Sequence, residues 1–279
     1  MAQHRTWAEI YLDRAAHNFN SIRKQTGADV IAVIKADAYG HGAIPLARLY
    51  ETLGARCFGV ACVEEGVALR EAGIRTPILL LGIVPEEDIR EALAYNLTLA
   101  AYSTRFAKCV SEAAEELGIP AFLHVKVDTG MGRIGFSPDA VDEIIALKNL
   151  PGVALEGIFT HFAQGDEEPY TELQLARLNR LLKALEEGSV NLPVCHCANS
   201  AAVLHYKKAH GTYVRPGIIL YGLEAEGSDL VPVMELKTRV CELRTVPAGE
   251  TIGYGRTYTA PRETTVAVVP AGYADGVPR

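Results

Sequence analysis

A chain of 279 residues that is 49% apolar can bury a large core, either as one large α/β domain or as two domains. Its 27 basic and 34 acidic residues leave a net charge of −7, which excludes the basic face expected of a nucleic-acid binder. Residues 1–7 lack the apolar centre of an export signal, and runs such as 78–81 are far too short to span a bilayer, so a cytoplasmic protein without membrane partners is expected. The six cysteines (Cys57, Cys62, Cys109, Cys195, Cys197 and Cys241) then read as reduced thiols. Cys195 and Cys197 share one face of a predicted strand with His196 on the other. No second ligand pair follows at useful spacing, so they read as core residues and no metal is expected.

In chain order, residues 6–12 read as a strand, and Asp13 reads as the N-cap of a helix running to about Gln25. Short apolar strands follow at 29–35, 56–62, 77–82, 97–102, 121–127, 153–160, 193–198 and 213–219. Helical patterns separate most of them, at 42–53, 64–73, 86–95, 104–117, 138–148, 170–187 and 200–208. Such alternation predicts a parallel sheet, and eight strands in this length favour a closed (β/α)8 TIM-type barrel. No Gly-x-Gly-x-x-Gly follows the first barrel strand, which argues against a dinucleotide fold. The polar, turn-rich stretch 222–229 breaks the rhythm. Beyond it Met234, Leu236 and Val240 alternate with Glu235, Lys237 and Arg239, Pro247 begins a turn, and 264–269 is another strand. The predicted domains are a barrel over 1–225, whose first strand (1–12) can pair with the second domain, and the start of a mostly-β domain over 226–279. That second domain reads as cut short, because about 50 residues rarely form an independent core.

In such a barrel the active site lies at the C-terminal strand ends. The first barrel strand delivers Lys35, with Tyr39 four residues on. Burial at a strand end lowers a lysine's pKa and makes it a nucleophile or proton shuttle; the alternative is a lysine that leaves the strand for a surface ion pair. The fifth delivers Lys126, Asp128 and Arg133; the sixth Thr160 and His161; the seventh His196, Asn199 and Ser200; the eighth Arg215, Gly217 and Ile218. Phosphate sites in these barrels use the loops after strands seven and eight, where Ser200 offers a hydroxyl and Gly217 lets backbone N–H groups approach an anion. A phosphate site beside a reactive lysine and an arginine suggests pyridoxal 5'-phosphate. Any barrel enzyme crowds polar residues at this rim, so the pattern alone does not single out that cofactor.

The segment Ala32-Val33-Ile34-Lys35-Ala36-Asp37-Ala38-Tyr39-Gly40-His41-Gly42 resembles the cofactor-attachment signature of the alanine racemase family. Four further blocks resemble the same family, in order: Lys126-Val127-Asp128-Thr129-Gly130-Met131-Gly132-Arg133; His196 with Ala198-Asn199-Ser200-Ala201-Ala202; Arg215-Pro216-Gly217-Ile218; and Gly272-Tyr273-Ala274-Asp275-Gly276. Five blocks in register are far more specific than one.

The resemblance implies a pyridoxal-phosphate enzyme that interconverts L-alanine and D-alanine by a two-base mechanism, supplying D-alanine for peptidoglycan. Lys35 would carry the cofactor and serve as one base. Tyr254, between two glycines, matches the second base and would act from the partner subunit of a homodimer with composite sites; Tyr258 and Tyr273 are its runners-up. A free tyrosine has a pKa near 10, so its use near neutrality asks for a shift of about three units, roughly 4 kcal/mol. Tyr39, Ser200, Gly217 and Ile218 match phosphate-binding positions, and Asn199 and His161 also match cofactor-binding positions. Arg215 faces the pyridine nitrogen, linked through His161 toward the tyrosine. A satisfied core histidine is the alternative for His161. Arg133 matches an arginine that contacts the substrate carboxylate. Lys126 matches a lysine that is often carbamylated, with a plain Lys126–Asp128 ion pair as the alternative. Three other functions compete: a racemase for serine or a broader set of amino acids, a non-catalytic pyridoxal-phosphate-binding protein, and a decarboxylase of the same barrel type.

Overall fold

The structure, a computed structural model, describes residues 5–278. It separates into two compact units: Leu12–Val233, and residues 5–11 together with 234–278. The first strand, β1 (Thr6–Ile10), belongs to the second unit.

The first unit is the closed parallel barrel that the strand–helix rhythm predicts. Its strands are β2 (Asp29–Val33), β3 (Cys57–Val60), β4 (Ile78–Leu80), β5 (Thr98–Ala101), β6 (Ala121–Lys126), β7 (Val153–Phe159), β8 (Val194–His196) and β9 (Tyr213–Val214). Closure is made by β9 against β2, with Asp29 opposite Tyr213 and Val30 opposite Val214. The strands are continuously apolar because both faces are covered, as parallel sheets require. Ile31, Cys57 and Leu79, from three successive strands, pack together. The outer helices are amphipathic. Thr104–Leu117 buries Phe106, Ala107, Val110 and Ala114; the Ser103 hydroxyl caps it by accepting from Phe106 N, and Gly118 ends it at φ 63°. Asn18 is wholly buried on helix Leu12–Thr26, yet satisfied: its amide donates to the carbonyls of Leu220 and Val231 and accepts from Val231 N.

Several boundaries differ from expectation. The first helix starts at Leu12, so Asp13 lies in its first turn, where a negative charge favours the helix dipole, rather than at the cap. The expected strand 213–219 ends at Val214. Pro216 has no N–H for a ladder, although its carbonyl still accepts from Val33 N. The expected helix 138–148 is shortened to Val141–Leu147, and 86–95 divides into a 3₁₀ turn (Glu86–Asp88) and a helix (Ile89–Ala94).

The second unit consists of three two-stranded antiparallel ladders. β1 pairs with β10 (Met234–Thr238), β11 (Glu242–Val246) with β14 (Thr264–Val268), and β12 (Thr251–Ile252) with β13 (Tyr258–Thr259). Alternation does not make a core here. Leu236 and Leu243 are 49% and 66% exposed, and Ala260 is the only buried apolar side chain among the unit's described residues. No helix of the described chain is long and apolar enough to cross a membrane.

Candidate active site

A cavity of about 580 Å³ opens at the C-terminal ends of the barrel strands. Ten of the residues that the sequence places at the strand ends line it: Lys35, Tyr39, Lys126, Arg133, His161, Asn199, Ser200, Arg215, Gly217 and Ile218; Asp128, Thr160 and His196 do not. Lysines, arginines and a histidine dominate the polar lining and Glu224 is its one acid, so the cavity suits an anionic occupant.

Lys35 is half-buried rather than buried, and it makes no ion pair among the described residues. The segment beyond it is not the ordinary helix its alanines suggest. Ala36, Asp37, Ala38 and Tyr39 all adopt left-handed helical angles, with φ between 51° and 55°. For non-glycine residues this costs roughly 1–2 kcal/mol each, so the surroundings must impose it. Gly42 N donates to the Asp37 carbonyl at 2.9 Å, and Ala43 N to the Asp37 carboxylate at 2.7 Å. His41 Nδ1 donates to the carbonyls of Ala38 and Tyr39, and its buried ring stacks on Tyr221 at 4.5 Å. The turn thereby points the Tyr39 ring into the cavity wall, where burial raises its phenol pKa.

At the same wall, Gly217 N donates to Ser200 Oγ at 3.0 Å. A Cβ on Gly217 would fall 2.7 Å from Tyr39 Oη, so any larger residue would have to displace the Tyr39 phenol. Asn199 lines the cavity but spends its amide on structure, accepting from Ala202 N as a helix cap and donating to the Phe162 carbonyl.

Arg215 is 4% exposed and has no carboxylate partner among the described residues. Its guanidinium donates instead to the carbonyls of His196 (2.6 Å), Thr160 (2.7 Å) and Cys197 (3.4 Å), and to the ring nitrogens His196 Nδ1 (2.7 Å) and His161 Nδ1 (3.5 Å). It also lies 5.3 Å over the Phe159 ring, a cation–π contact. Burial lowers its pKa to about 10, which still leaves it a cation at neutral pH. Arginine only donates, so His196 Nδ1 must accept. The His196 proton then sits on Nε2 and is donated to His124 Nδ1, 2.8 Å away. Burial, then the Arg215 charge, lowers His124 to about 4, and burial with the same charge holds His196 well below its usual value. His161 is lowered to about 3 by burial and by the charges of Arg215, Arg133, Lys126 and Lys35. It is therefore a neutral member of the cavity wall and not merely a core residue.

Beyond β6, Asp128 does not pair with Lys126 as the plain ion-pair alternative supposed. Its carboxylate accepts from the backbone N–H groups of Gly130, Met131, Gly132 and Arg133 at 2.8–3.1 Å. Burial would raise that carboxyl, but these four donors outweigh it and the net shift is downward. The loop so folded carries Arg133, and Gly135 at φ 129° closes it where a Cβ would lie 2.7 Å from Asp128 N. Lys126, 2% exposed, donates to the Val127 carbonyl at 2.8 Å. Burial, then the Arg215 charge, lowers its amine to about 8.

Sequence reasoning missed the apolar wall of the cavity: Leu81 and Ile83 beyond β4, Ile134 after Arg133, and Phe159 at the end of β7. Phe159 was within reach, because it precedes His161 by two positions at the same strand end. Its ring stacks on His196 at 4.8 Å and 7°. Tyr254, the candidate second base, belongs to the other unit. It stands in a short turn between Gly253 (φ 79°) and Gly255 (φ 72°) with 95% of its side chain exposed. Tyr258 and Tyr273 are 48% and 73% exposed. All six cysteines are free, and among the described residues no cluster of His, Cys, Asp and Glu could hold a metal ion.

Comparison with known proteins adds the family. Residues 10–225 match the family model "Alanine racemase, N-terminal domain", and residues 233–279 match "Alanine racemase, C-terminal domain". Among curated relatives, the alanine racemase of Desulforamulus reducens is 46% identical over 98% of this chain and 77% of its own length. That of Carboxydothermus hydrogenoformans is 42% identical over 97% of this chain and 76% of its own. Among solved structures, alanine racemase of Clostridium difficile 630 superposes with a TM-score of 0.92 at 40% identity, covering all of this chain and 76% of that one. The enzyme of Streptomyces lavendulae gives 0.91 at 35% identity, covering all of this chain and 77% of that one.

Proposed function

The chain belongs to the alanine racemase family, and on that basis we propose that it interconverts L-alanine and D-alanine with pyridoxal 5'-phosphate as cofactor. The observation that carries this reading is the convergence of ten candidates from five strand ends on one cation-rich cavity. The residues present fit the cofactor. Lys35 offers an amine without an ion-pair partner among the described residues, and the Gly217 backbone approaches Tyr39 in a cradle that a Cβ would fill. Tyr39, Ser200 and the backbone of Gly217 and Ile218 would hold the phosphate. His161 and Arg215 would line the ring, with Asn199 shaping the loop beneath Ser200.

When bound, the cofactor supplies an aldehyde that condenses with amines and a conjugated ring that spreads negative charge from an amino acid's Cα. The protein's own groups do the rest. Lys35 Nζ removes or returns the Cα proton on one face. Tyr254 Oη of a second copy does so on the other, so the functional unit is a homodimer with composite sites. Arg133 binds the substrate carboxylate. Arg215 stays protonated at neutral pH and can donate to the ring nitrogen without giving up its proton. With such a donor the ring would be a moderate rather than a strong electron sink, which would disfavour side reactions. Lys126, lowered to about 8, has an appreciable neutral fraction near neutral pH. Neutral amine is what carbamylation needs, and the resulting anion would steady Arg133. Supply of D-alanine to peptidoglycan and a cytoplasmic location belong to the same proposal, supported by the family and by the free cysteines.

The test is exchange of the alanine Cα proton in deuterated water after loading with pyridoxal phosphate. Exchange is expected with both enantiomers. None with either, in protein shown to hold the cofactor, would overturn the reading.

A further inference from the structure

The strained turn after Lys35 is held unevenly. Its far end is tied by Gly42 N, Ala43 N and the His41 ring. Its near end, where the chain leaves β2, is held at Val33, whose carbonyl accepts from Tyr221 Oη at 2.9 Å, and just after Lys35 by Glu65, in the first turn of helix Val63–Glu71. Glu65 Oε1 accepts from Ala36 N at 2.6 Å, and Oε2 accepts from Ala61 N at 2.8 Å. Ala36 directly follows Lys35, and Lys35 and Ala61 both line the cavity. One carboxylate thus joins the loops that follow β2 and β3, each oxygen taking one backbone N–H.

We infer that Glu65 is a positioning residue: it anchors the left-handed turn at Ala36 and so sets the direction in which Lys35 presents its amine. This rests on the proposed role of Lys35. The chemistry demands a carboxylate with the reach of glutamate. Glutamine offers one acceptor oxygen and turns an NH₂ group toward the second N–H, so one bond is lost and two donors face each other. Aspartate is one methylene short of spanning both loops. A mere helix-dipole role would be met by aspartate and lost with glutamine, which carries no charge.

The test compares Glu65→Gln and Glu65→Asp with the unsubstituted protein in two measurements. The first is amide hydrogen exchange of cofactor-free protein, reading segment 35–42 against helix Thr104–Leu117 as an internal reference. Loss of one charge-assisted hydrogen bond corresponds to about 10-fold faster exchange at Ala36. Both variants should show it without a change in the reference helix. The second is steady-state racemisation of cofactor-loaded protein, where kcat should fall about 10-fold while KM for alanine stays within about 2-fold. Unchanged exchange at Ala36 overturns the anchor. Faster exchange with unchanged kcat overturns the positioning role, as does full rescue by Glu65→Asp. Exchange that rises equally in the reference helix shows a general loss of stability and overturns it too. If the unsubstituted protein takes up cofactor but does not racemise alanine, the proposed function falls, while the exchange comparison still decides whether Glu65 anchors the turn.

Discussion

The two units solve the problem of stability in opposite ways. The barrel buries aliphatic side chains from every strand and closes its sheet, so it has no unpaired edge. The β unit has three separate two-stranded ladders, one buried alanine among its described residues, and Leu236, Val240, Leu243, Val268 and Val269 substantially exposed. A two-stranded ladder is marginal alone in water. The contrast shows where function can be built. The barrel can hold charged groups such as Arg215 and Lys126 out of water at fixed positions because a packed scaffold surrounds them. The β unit presents Tyr254, the proposed second base, at an exposed turn, as the proposal that it serves a site on another molecule requires.

Four outcomes would test this contrast. The largest concerns the division of labour. Lys35→Ala should cost about 10⁴-fold in racemisation. Tyr254→Phe should cost less and unequally, with exchange from L-alanine the more impaired. Mixing the two impaired proteins should restore racemisation to up to about a quarter of normal, because half the dimers would be hybrids with one intact composite site. No recovery after subunit exchange would place both bases in one chain. Next, Leu79→Ala in the barrel should lower stability by about 3 kcal/mol in urea unfolding. A smaller effect is set by pH. Unfolded His124 takes a proton below about 6.5, whereas folded His124 resists it until about 4. The unfolded state therefore binds more protons in that window, and stability falls as pH drops through it, by about 2 kcal/mol at pH 5 from this residue. His124→Gln should reduce the shift in urea midpoint between pH 7 and pH 5; an unchanged shift would mean the buried histidines are not held neutral. The smallest effect belongs to the β unit. Leu243→Ala should change stability by at most about 0.5 kcal/mol in dilute protein. A larger loss that depends on protein concentration would show that a second copy covers this surface.

Much of this was legible in the chain. Apolar runs of four to six residues separated by amphipathic stretches encode buried parallel strands, because burial of both faces leaves no room for alternation. Each strand's last polar residues mark the rim, which is how Lys35, Lys126, His161 and Arg215 could be named from order alone. Other features were not legible. Ala36, Asp37, Ala38 and Tyr39 contain no glycine, and alanine is the best right-handed helix former, so local preference pointed away from the left-handed turn. The supposed Lys126–Asp128 pair failed because four N–H groups from Asp128's own loop compete for the carboxylate.

Periodicity and short-range order were enough to specify the barrel, the order in which chemistry-bearing residues reach its rim and, through five blocks of local identity, the family they resemble. These are properties that one dimension can carry. Which groups meet is a matter of three dimensions. His124 and His196 stand 72 positions apart yet share a proton 2.8 Å across. Glu65 reaches back 29 positions to hold the residue after Lys35. Barrel closure brings these distant groups within hydrogen-bond range, and burial there, not residue type, sets the low pKa values of His124, His161 and Lys126.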